Sequence, residues 1–139
     1  MKLKNLKLTL LMIVAMALGA AATACGGHTE VNELVGTLNE YAQNFDNVNT
    51  LEEFNEQMQQ FNNATSNYAK SDVKIDQSDR DAILKAIDGF SASVNKSMSK
   101  LLGVPVMTDE QRDQQMQILA NDVANTQTLG ELITICMQE

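Results

Sequence analysis

The sequence holds few of the side chains that usually carry out chemistry in proteins. It has one histidine, His28, and two cysteines, Cys25 and Cys136. A histidine acts as a general base only when a second group orients it, and His28 is flanked by glycines and a threonine. The cysteines form neither the Cys-x-x-Cys-His haem pattern nor a paired zinc spacing. The sequence therefore predicts no catalytic residue, no cofactor and no metal site.

One acidic run, Asp76 to Asp81, superficially suggests a calcium loop. Such a loop needs a glycine at its turn and a bidentate glutamate at its last position. Here Arg80 occupies a liganding position, and Ile87 stands where the glutamate should be. The run is better explained as the start of a helix that is capped by Ser78.

The amino terminus has the three parts of an export signal. Three lysines precede an apolar run, Leu8 to Leu18, and small residues follow from Gly19 to Ala24. A membrane-spanning helix needs about 20 predominantly apolar residues, and the small residues gain too little from lipid to complete one. The pattern predicts that residues 1–24 are a signal peptide that is removed.

The last residues of this leader, Ala22-Thr23-Ala24-Cys25, resemble the lipobox of bacterial lipoproteins. In that class, small residues precede a cysteine that is diacylated and becomes the new amino terminus; Ala22 stands where Leu is usual. The resemblance implies a lipid on Cys25 and a protein anchored in the bacterial envelope, since two acyl chains anchor stably. Because Gly26 is not acidic, the resemblance also favours the outer membrane over the inner membrane as the site of the anchor.

The same residues permit an alternative. Ala22-x-Ala24 also fits ordinary signal cleavage, which would release a soluble secreted protein. Without a lipid, Cys25 could pair with Cys136, because an even-numbered antiparallel bundle returns its carboxyl terminus to the end where it began.

The charge balance limits the possible partners. The 10 Lys and Arg of the chain include three in the leader, whereas all 18 Asp and Glu follow it. Removing residues 1–24 therefore changes the net charge from −8 to −11. Such a chain repels nucleic acid and anionic lipid headgroups, so no nucleic-acid partner is expected.

The rest of the chain predicts an all-α fold. Apolar residues recur at steps of three and four residues, and no segment alternates with a period of two. Residues 25–29 are a lipidated cysteine with a short tether, and residues 30–139 form one domain. Short connections favour a small antiparallel bundle of about four helices, with a three-helix core and an appended helix as the alternative. The predicted helices run from Glu30 to Asp46, from Thr50 to Lys70, from Ser78 to Gly103, and from Thr108 towards Met137.

Three of the four starts carry capping boxes, in which Thr50, Ser78 and Thr108 are each followed three residues later by a carboxylate or an amide. Gly130 is expected to fray or bend the last helix. The inward stripes of the second and third helices include Phe61 and Phe90, which we expect to share a core. The other predicted inward residues are Val31, Leu34, Val35, Leu38, Tyr41, Ala42, Phe45, Leu51, Phe54, Met58, Thr65, Tyr68, Ile83, Ile87, Val94, Met98, Leu101, Met116, Leu119, Val123, Thr126, Leu129, Ile133 and Cys136.

A short segment, Met107-Thr-Asp-Glu-Gln-Arg112, resembles the Leu-Thr-x-x-Gln motif of Spy-type periplasmic chaperones. Met107 replaces Leu, and the motif occurs once where that family typically has two copies. A capping box that follows an apolar residue has the same letters. The resemblance implies a holdase-like chaperone as an alternative function.

The connection before that motif, Gly103 to Met107, is unusually apolar for a loop. In an up-down-up-down bundle it lies at the end far from Cys25. Val104, Val106 and Met107 either fold back to seal that end or, stiffened by Pro105, form a tip that contacts a partner. The sequence as a whole favours a membrane-anchored, non-enzymatic binding or structural protein whose partner is an unknown envelope protein; an enzyme is the least favoured alternative.

Overall fold

The computed structural model describes residues 28–137, so the predicted signal peptide and Cys25 lie outside the described residues. Within this range the chain forms five α-helices and one short 3-10 helix, and no β-strand. The predicted all-α fold is therefore confirmed for this part of the chain. None of these helices combines the length and the apolar character that a membrane span requires. The helices are α1 (His28–Asp46), α2 (Leu51–Thr65), the 3-10 helix (Ser66–Lys70), α3 (Gln77–Leu102), α4 (Asp109–Val123) and α5 (Leu129–Met137).

Thr50 and Thr108 cap helix starts as predicted, but of these two predicted capping boxes only the one at Thr108 is complete. The Thr50 hydroxyl accepts a hydrogen bond from the Glu53 amide over 3.1 Å, which opens α2. At α4 the box is reciprocal: the Thr108 hydroxyl accepts from the Gln111 amide, and the Gln111 side chain accepts from the Thr108 amide. These bonds satisfy amides that have no partner within the helix.

The predicted cap at Ser78 is wrong, because α3 begins two residues earlier. The Asp76 carboxylate accepts from the Asp79 amide over 2.9 Å, and the Asp79 carboxylate accepts from the Asp76 amide over 3.0 Å. Aspartate caps a helix as well as serine does. Ile75, the residue before Asp76, has its side chain buried in the core. This burial places Asp76 at the helix start.

The core lies between α1 and α3, which pack against each other more extensively than any other pair of helices described. Each large aliphatic side chain buried there stabilises the fold by about 1.5–3 kcal/mol. The buried cluster contains Val31, Leu34, Leu38, Ile75, Ile83, Ala86, Val123, Leu129, Leu132 and Ile133.

Aromatic rings join α2 to this core. Phe45 of α1 is fully buried and meets Phe54 and Phe90 edge to face, with ring centroids 5.0 and 5.6 Å apart. Phe61 of α2 stacks on Phe90 of α3 at 4.3 Å. The prediction that Phe61 and Phe90 share a core is confirmed, although both rings are half-buried and Phe45 is the enclosed one.

The predicted fourth helix is wrong as a single element, because it is divided into α4 and α5. The Thr126 hydroxyl donates to the Val123 carbonyl over 2.7 Å, and the Arg80 guanidinium donates to the Thr126 carbonyl over 2.8 Å. The Thr128 hydroxyl then accepts from the Glu131 amide at the start of α5.

The division follows from backbone bonds to the connector, residues 71–76, which leads from the 3-10 helix to α3. The Ile75 amide donates to the Gln127 carbonyl over 3.0 Å, and the Leu129 amide donates to the Val73 carbonyl over 2.9 Å. The Gln127 carbonyl and the Leu129 amide are therefore bonded to the connector and not to groups within a helix. A continuous helix cannot pass through residues 124–128 for this reason. Gly130, which was expected to fray or bend the helix, lies inside α5 and is buried.

Two hydrogen-bonded contacts identify the two ends of the bundle. At the amino-terminal end, the Ser71 hydroxyl donates to Glu30 near the start of α1. At the opposite end, which we call the distal end, the Lys100 ammonium donates to the Val48 carbonyl over 3.0 Å and to the Asn49 side chain over 2.8 Å. The α1–α2 loop therefore lies beside the last turn of α3, and the segment after α3 leaves from the distal end.

Candidate partner-binding tip

The segment between α3 and α4 is held in place at both of its ends. Gly103 has a φ of 69°, in the left-handed region, and its amide donates to the Ser99 carbonyl over 2.9 Å. Glycine adopts this conformation without the steric cost that other residues incur. Pro105 has a fixed φ and no amide to satisfy, and the Thr108 box then begins α4. Only a few residues separate two capped helix ends.

The valines of this segment point to solvent. Val104 is 40% exposed and Val106 is 49% exposed, while Met107 is half-buried. The interpretation that these side chains fold back to seal the bundle is therefore wrong for both valines.

Two further exposed apolar residues lie around the same end. Leu102 ends α3 and is 52% exposed, and Leu51 begins α2 and is 48% exposed. Leu51 is two residues from Asn49, which Lys100 contacts, and Leu102 is two residues beyond Lys100. We call Leu51, Leu102, Val104 and Val106 the apolar tip.

The prediction that Leu51 faces the core is wrong, and sequence reasoning did not single out Leu102. Leu51 fits the inward seam of α2 by spacing but is the first residue of that helix, where no neighbouring turn covers it. Leu102 follows Leu101, the last residue of the α3 stripe. The available signal was position: an apolar residue in the first or last turn of a helix has fewer neighbours than the same residue in the middle.

Exposed carboxylates also lie in the helix ends that meet at the distal end. Lys100 is occupied by its bonds to the α1–α2 loop, and Arg112 pairs with Asp88 over 3.2 Å and with Asp109 over 3.1 Å. Hydrogen bonding to Asp88 raises the pKa of the Arg112 guanidinium further above its ordinary value. The distal end therefore presents both exposed apolar and exposed acidic side chains. The acidic rim consists of Asp46, Glu52, Asp109 and Glu110, all exposed.

The described cysteine, Cys136, does not lie at this end, because its helix packs against the 3-10 helix. Cys136 is half-buried in α5, and burial raises the pKa of its thiol to about 11, so little reactive thiolate is present near neutral pH. The predicted lipidation residue, Cys25, lies outside the described residues, and of His28 only the backbone is described. Among residues 28–137, no three His, Cys, Asp or Glu side chains are grouped as a metal ion would require.

A cavity of about 490 Å³ lies between the connector and α5, far from the apolar tip. Its polar groups hold the fold together: the Ser71 hydroxyl donates to Glu30, and the Ser71 carbonyl accepts from the Gly130 amide. A smaller cavity beside Tyr68 lies at the same end. Burial, followed by the charges of Glu33 and Glu30, raises the pKa of the Tyr68 phenol, which keeps it protonated at neutral pH.

Comparisons with known protein families, with curated proteins and with solved structures found no match to this chain.

Proposed function

We propose that this protein is a bacterial envelope lipoprotein, anchored by a lipid on Cys25, whose helical bundle uses the apolar tip to bind another envelope protein. The observation that carries the proposal is the position of the exposed apolar side chains. Four of the six large apolar residues that are exposed in the described range lie at the distal end. Grouped exposed apolar residues are typical of interaction sites, whereas single ones are ordinary.

The dimensions of the bundle fit such a role. The 19 residues of α1 span about 28 Å and the 26 residues of α3 span about 39 Å, at 1.5 Å per residue. The chain from Cys25 to His28 reaches about 10 Å at most. A lipid on Cys25 would therefore keep the amino-terminal end near the membrane and would hold the apolar tip about 30–40 Å away from it.

We propose further that the protein is not an enzyme and that it is located at the outer membrane. The leader, its small residues and Cys25 support the anchor, and the absence of an acidic residue at Gly26 supports the outer membrane. The bundle contributes a rigid, capped support for the apolar tip.

The anchor is tested by substituting Cys25→Ala in the full chain. We expect this variant to lose labelling by a fatty-acid probe and to leave the membrane fraction. Cys136→Ala is the matched control, because it removes the other cysteine, and it should keep both properties. Undiminished labelling of Cys25→Ala would contradict the lipid anchor.

The apolar tip is tested by introducing a photo-crosslinking side chain at Val106 in living cells. The same side chain at Asn121, an exposed residue near the end of α4, is the control. We expect a discrete crosslinked product with an envelope protein from position 106 only. Equal products from both positions, or none from position 106, would contradict the role of the apolar tip.

A further inference from the structure

From the charges that surround the apolar tip, we infer that its partner is a protein segment with an apolar centre flanked by lysine or arginine. The inference rests on the proposed function, because it names the chemistry of the partner at the same surface. An apolar centre and an acidic edge are together complementary to apolar side chains with basic neighbours.

Two basic residues near the distal end, Lys100 and Arg112, offset the charge of the acidic rim only in part, because Arg112 pairs with one rim carboxylate, that of Asp109. Lys100 donates to a carbonyl and to an amide oxygen and forms no ion pair with a described carboxylate, so its single positive charge offsets only part of the four negative charges of the rim. Arg112 is committed to Asp88 and Asp109. Asp46, Glu52 and Glu110 take part in none of these ion pairs.

Helix stability explains only part of the acidic rim. Glu52, Asp109 and Glu110 lie in the first turns of α2 and α4, where a negative charge interacts favourably with the helix dipole. Asp46 is different, because it ends α1, where a negative charge is unfavourable and where no basic residue is present in the last turn. Helix stability therefore does not account for Asp46, whose exposed carboxylate is available to a cationic group of a partner.

The same charges disfavour two other occupants. A second copy of this chain would bring two acidic rims together, and like charges facing each other weaken association. An anionic membrane would repel the rim for the same reason. A basic segment of another protein gains from both the apolar and the charged parts of the surface.

The test uses the full chain in phosphatidylcholine nanodiscs and a fluorescent nine-residue peptide, Lys-Lys-Ser-Leu-Val-Leu-Ser-Lys-Lys. Two comparison peptides replace either every Lys by Glu or the central Leu-Val-Leu by Ser-Ser-Ser. Binding is measured by fluorescence anisotropy, with empty nanodiscs as the baseline. We expect both comparison peptides to bind at least about tenfold more weakly, and added salt to weaken the binding of the basic peptide.

Variants of equal charge then locate the site. Asp46→Asn with Glu110→Gln removes two charges from the acidic rim, whereas Asp72→Asn with Asp122→Asn removes two exposed charges elsewhere. We expect the first pair to weaken binding about fivefold, as two exposed ion pairs would, and the second pair to change it little. Val104→Ser with Val106→Ser should weaken binding about tenfold, with unchanged circular dichroism.

Equal effects of the two charge pairs would overturn the inference, because the peptide would then respond to net charge alone. Equal binding of the Glu peptide, or tip-dependent dimers in sedimentation, would also overturn it, in the second case in favour of a second copy. Crosslinking from position 106 without peptide binding would leave the proposed function standing and would reject only the basic partner. Failure of both experiments would reject the apolar tip as a binding surface.

Discussion

Substituting Gly130→Ala should destabilise the protein, although alanine is the better helix former. Gly130 lies within α5 and is buried against the connector. A Cβ atom at this position would lie 2.5 Å from the Ser71 carbonyl oxygen and 2.9 Å from that of Ala69. Both are backbone atoms, so no side chain can rotate away. The connector must move, and the hydrogen bond of 2.9 Å from the Gly130 amide to the Ser71 carbonyl is weakened.

The expected magnitude follows from three opposing contributions. The helix gains about 1 kcal/mol when alanine replaces glycine. Overpacking of a close contact costs about 1–3 kcal/mol, and the loss of one hydrogen bond costs about 1 kcal/mol. The net loss in the free energy of unfolding is about 2 kcal/mol, which corresponds to a decrease of roughly 10 °C in Tm for a domain of this size.

The assay is thermal and urea unfolding followed by circular dichroism, with Gly89→Ala as the matched control. Gly89 lies in α3, and a Cβ there meets nothing within 4 Å. The control should therefore gain about 0.5–1 kcal/mol. If Gly130→Ala were as stable as Gly89→Ala, the close packing of the connector on α5 would be refuted, and with it our explanation of why α4 and α5 are separate.

Three further predictions test the core, a thiol and the break between α4 and α5. Phe45→Ala should cost about 3–5 kcal/mol of unfolding free energy, because the ring is fully buried, whereas the exposed Leu51→Ala should cost less than about 0.5 kcal/mol; similar urea midpoints for the two would contradict the packing. Burial raises the pKa of the Cys136 thiol to about 11 from 9.0, so the folded state holds the thiol proton more tightly than the unfolded state. The resulting stabilisation of the folded state is present below pH 9 and is lost as the pH rises towards 11. The loss should be about 2 kcal/mol relative to Cys136→Ala, and alkylation at pH 8 should be about 100-fold slower in the folded chain than in the unfolded chain; alkylation at equal rates would show that the thiol is not buried. Arg80→Met should cost about 1–2 kcal/mol, because the Thr126 carbonyl loses its donor, while the exposed Lys85→Met serves as the control and should be neutral.

The starts of α2 and α4 were predicted correctly because their capping bonds are local. The Thr50 and Thr108 caps involve residues three apart in the sequence, so the pattern contains all the partners of the bond. The start of α3 was misplaced because two cap spacings overlap in the same acidic run. Ser78-x-x-Asp81 and Asp76-x-x-Asp79 both satisfy the pattern, and the burial of Ile75 selects the second.

The break between α4 and α5 had a local signal that sequence reasoning did not use. Thr128-Leu-Gly-Glu131 has the spacing of a capping box, and its hydroxyl does accept the Glu131 amide. The apolar period through Val123, Leu129 and Ile133 is nevertheless continuous, because all three positions face the same core. Periodicity alone therefore could not separate two helices that bury the same side.

The sequence by itself determined that the described part of the chain is helical, where α2 and α4 begin, and which faces turn inwards, because caps and apolar spacing are local properties. It also placed the apolar segment with Val104 and Val106 between two helices. Only the tertiary structure decided that these valines stay exposed and that Leu51 joins them from another helix. The exposure of a side chain depends on which other parts of the chain lie near it. Contacts between residues far apart in the sequence, such as the one from Lys100 to the α1–α2 loop, determine which parts these are.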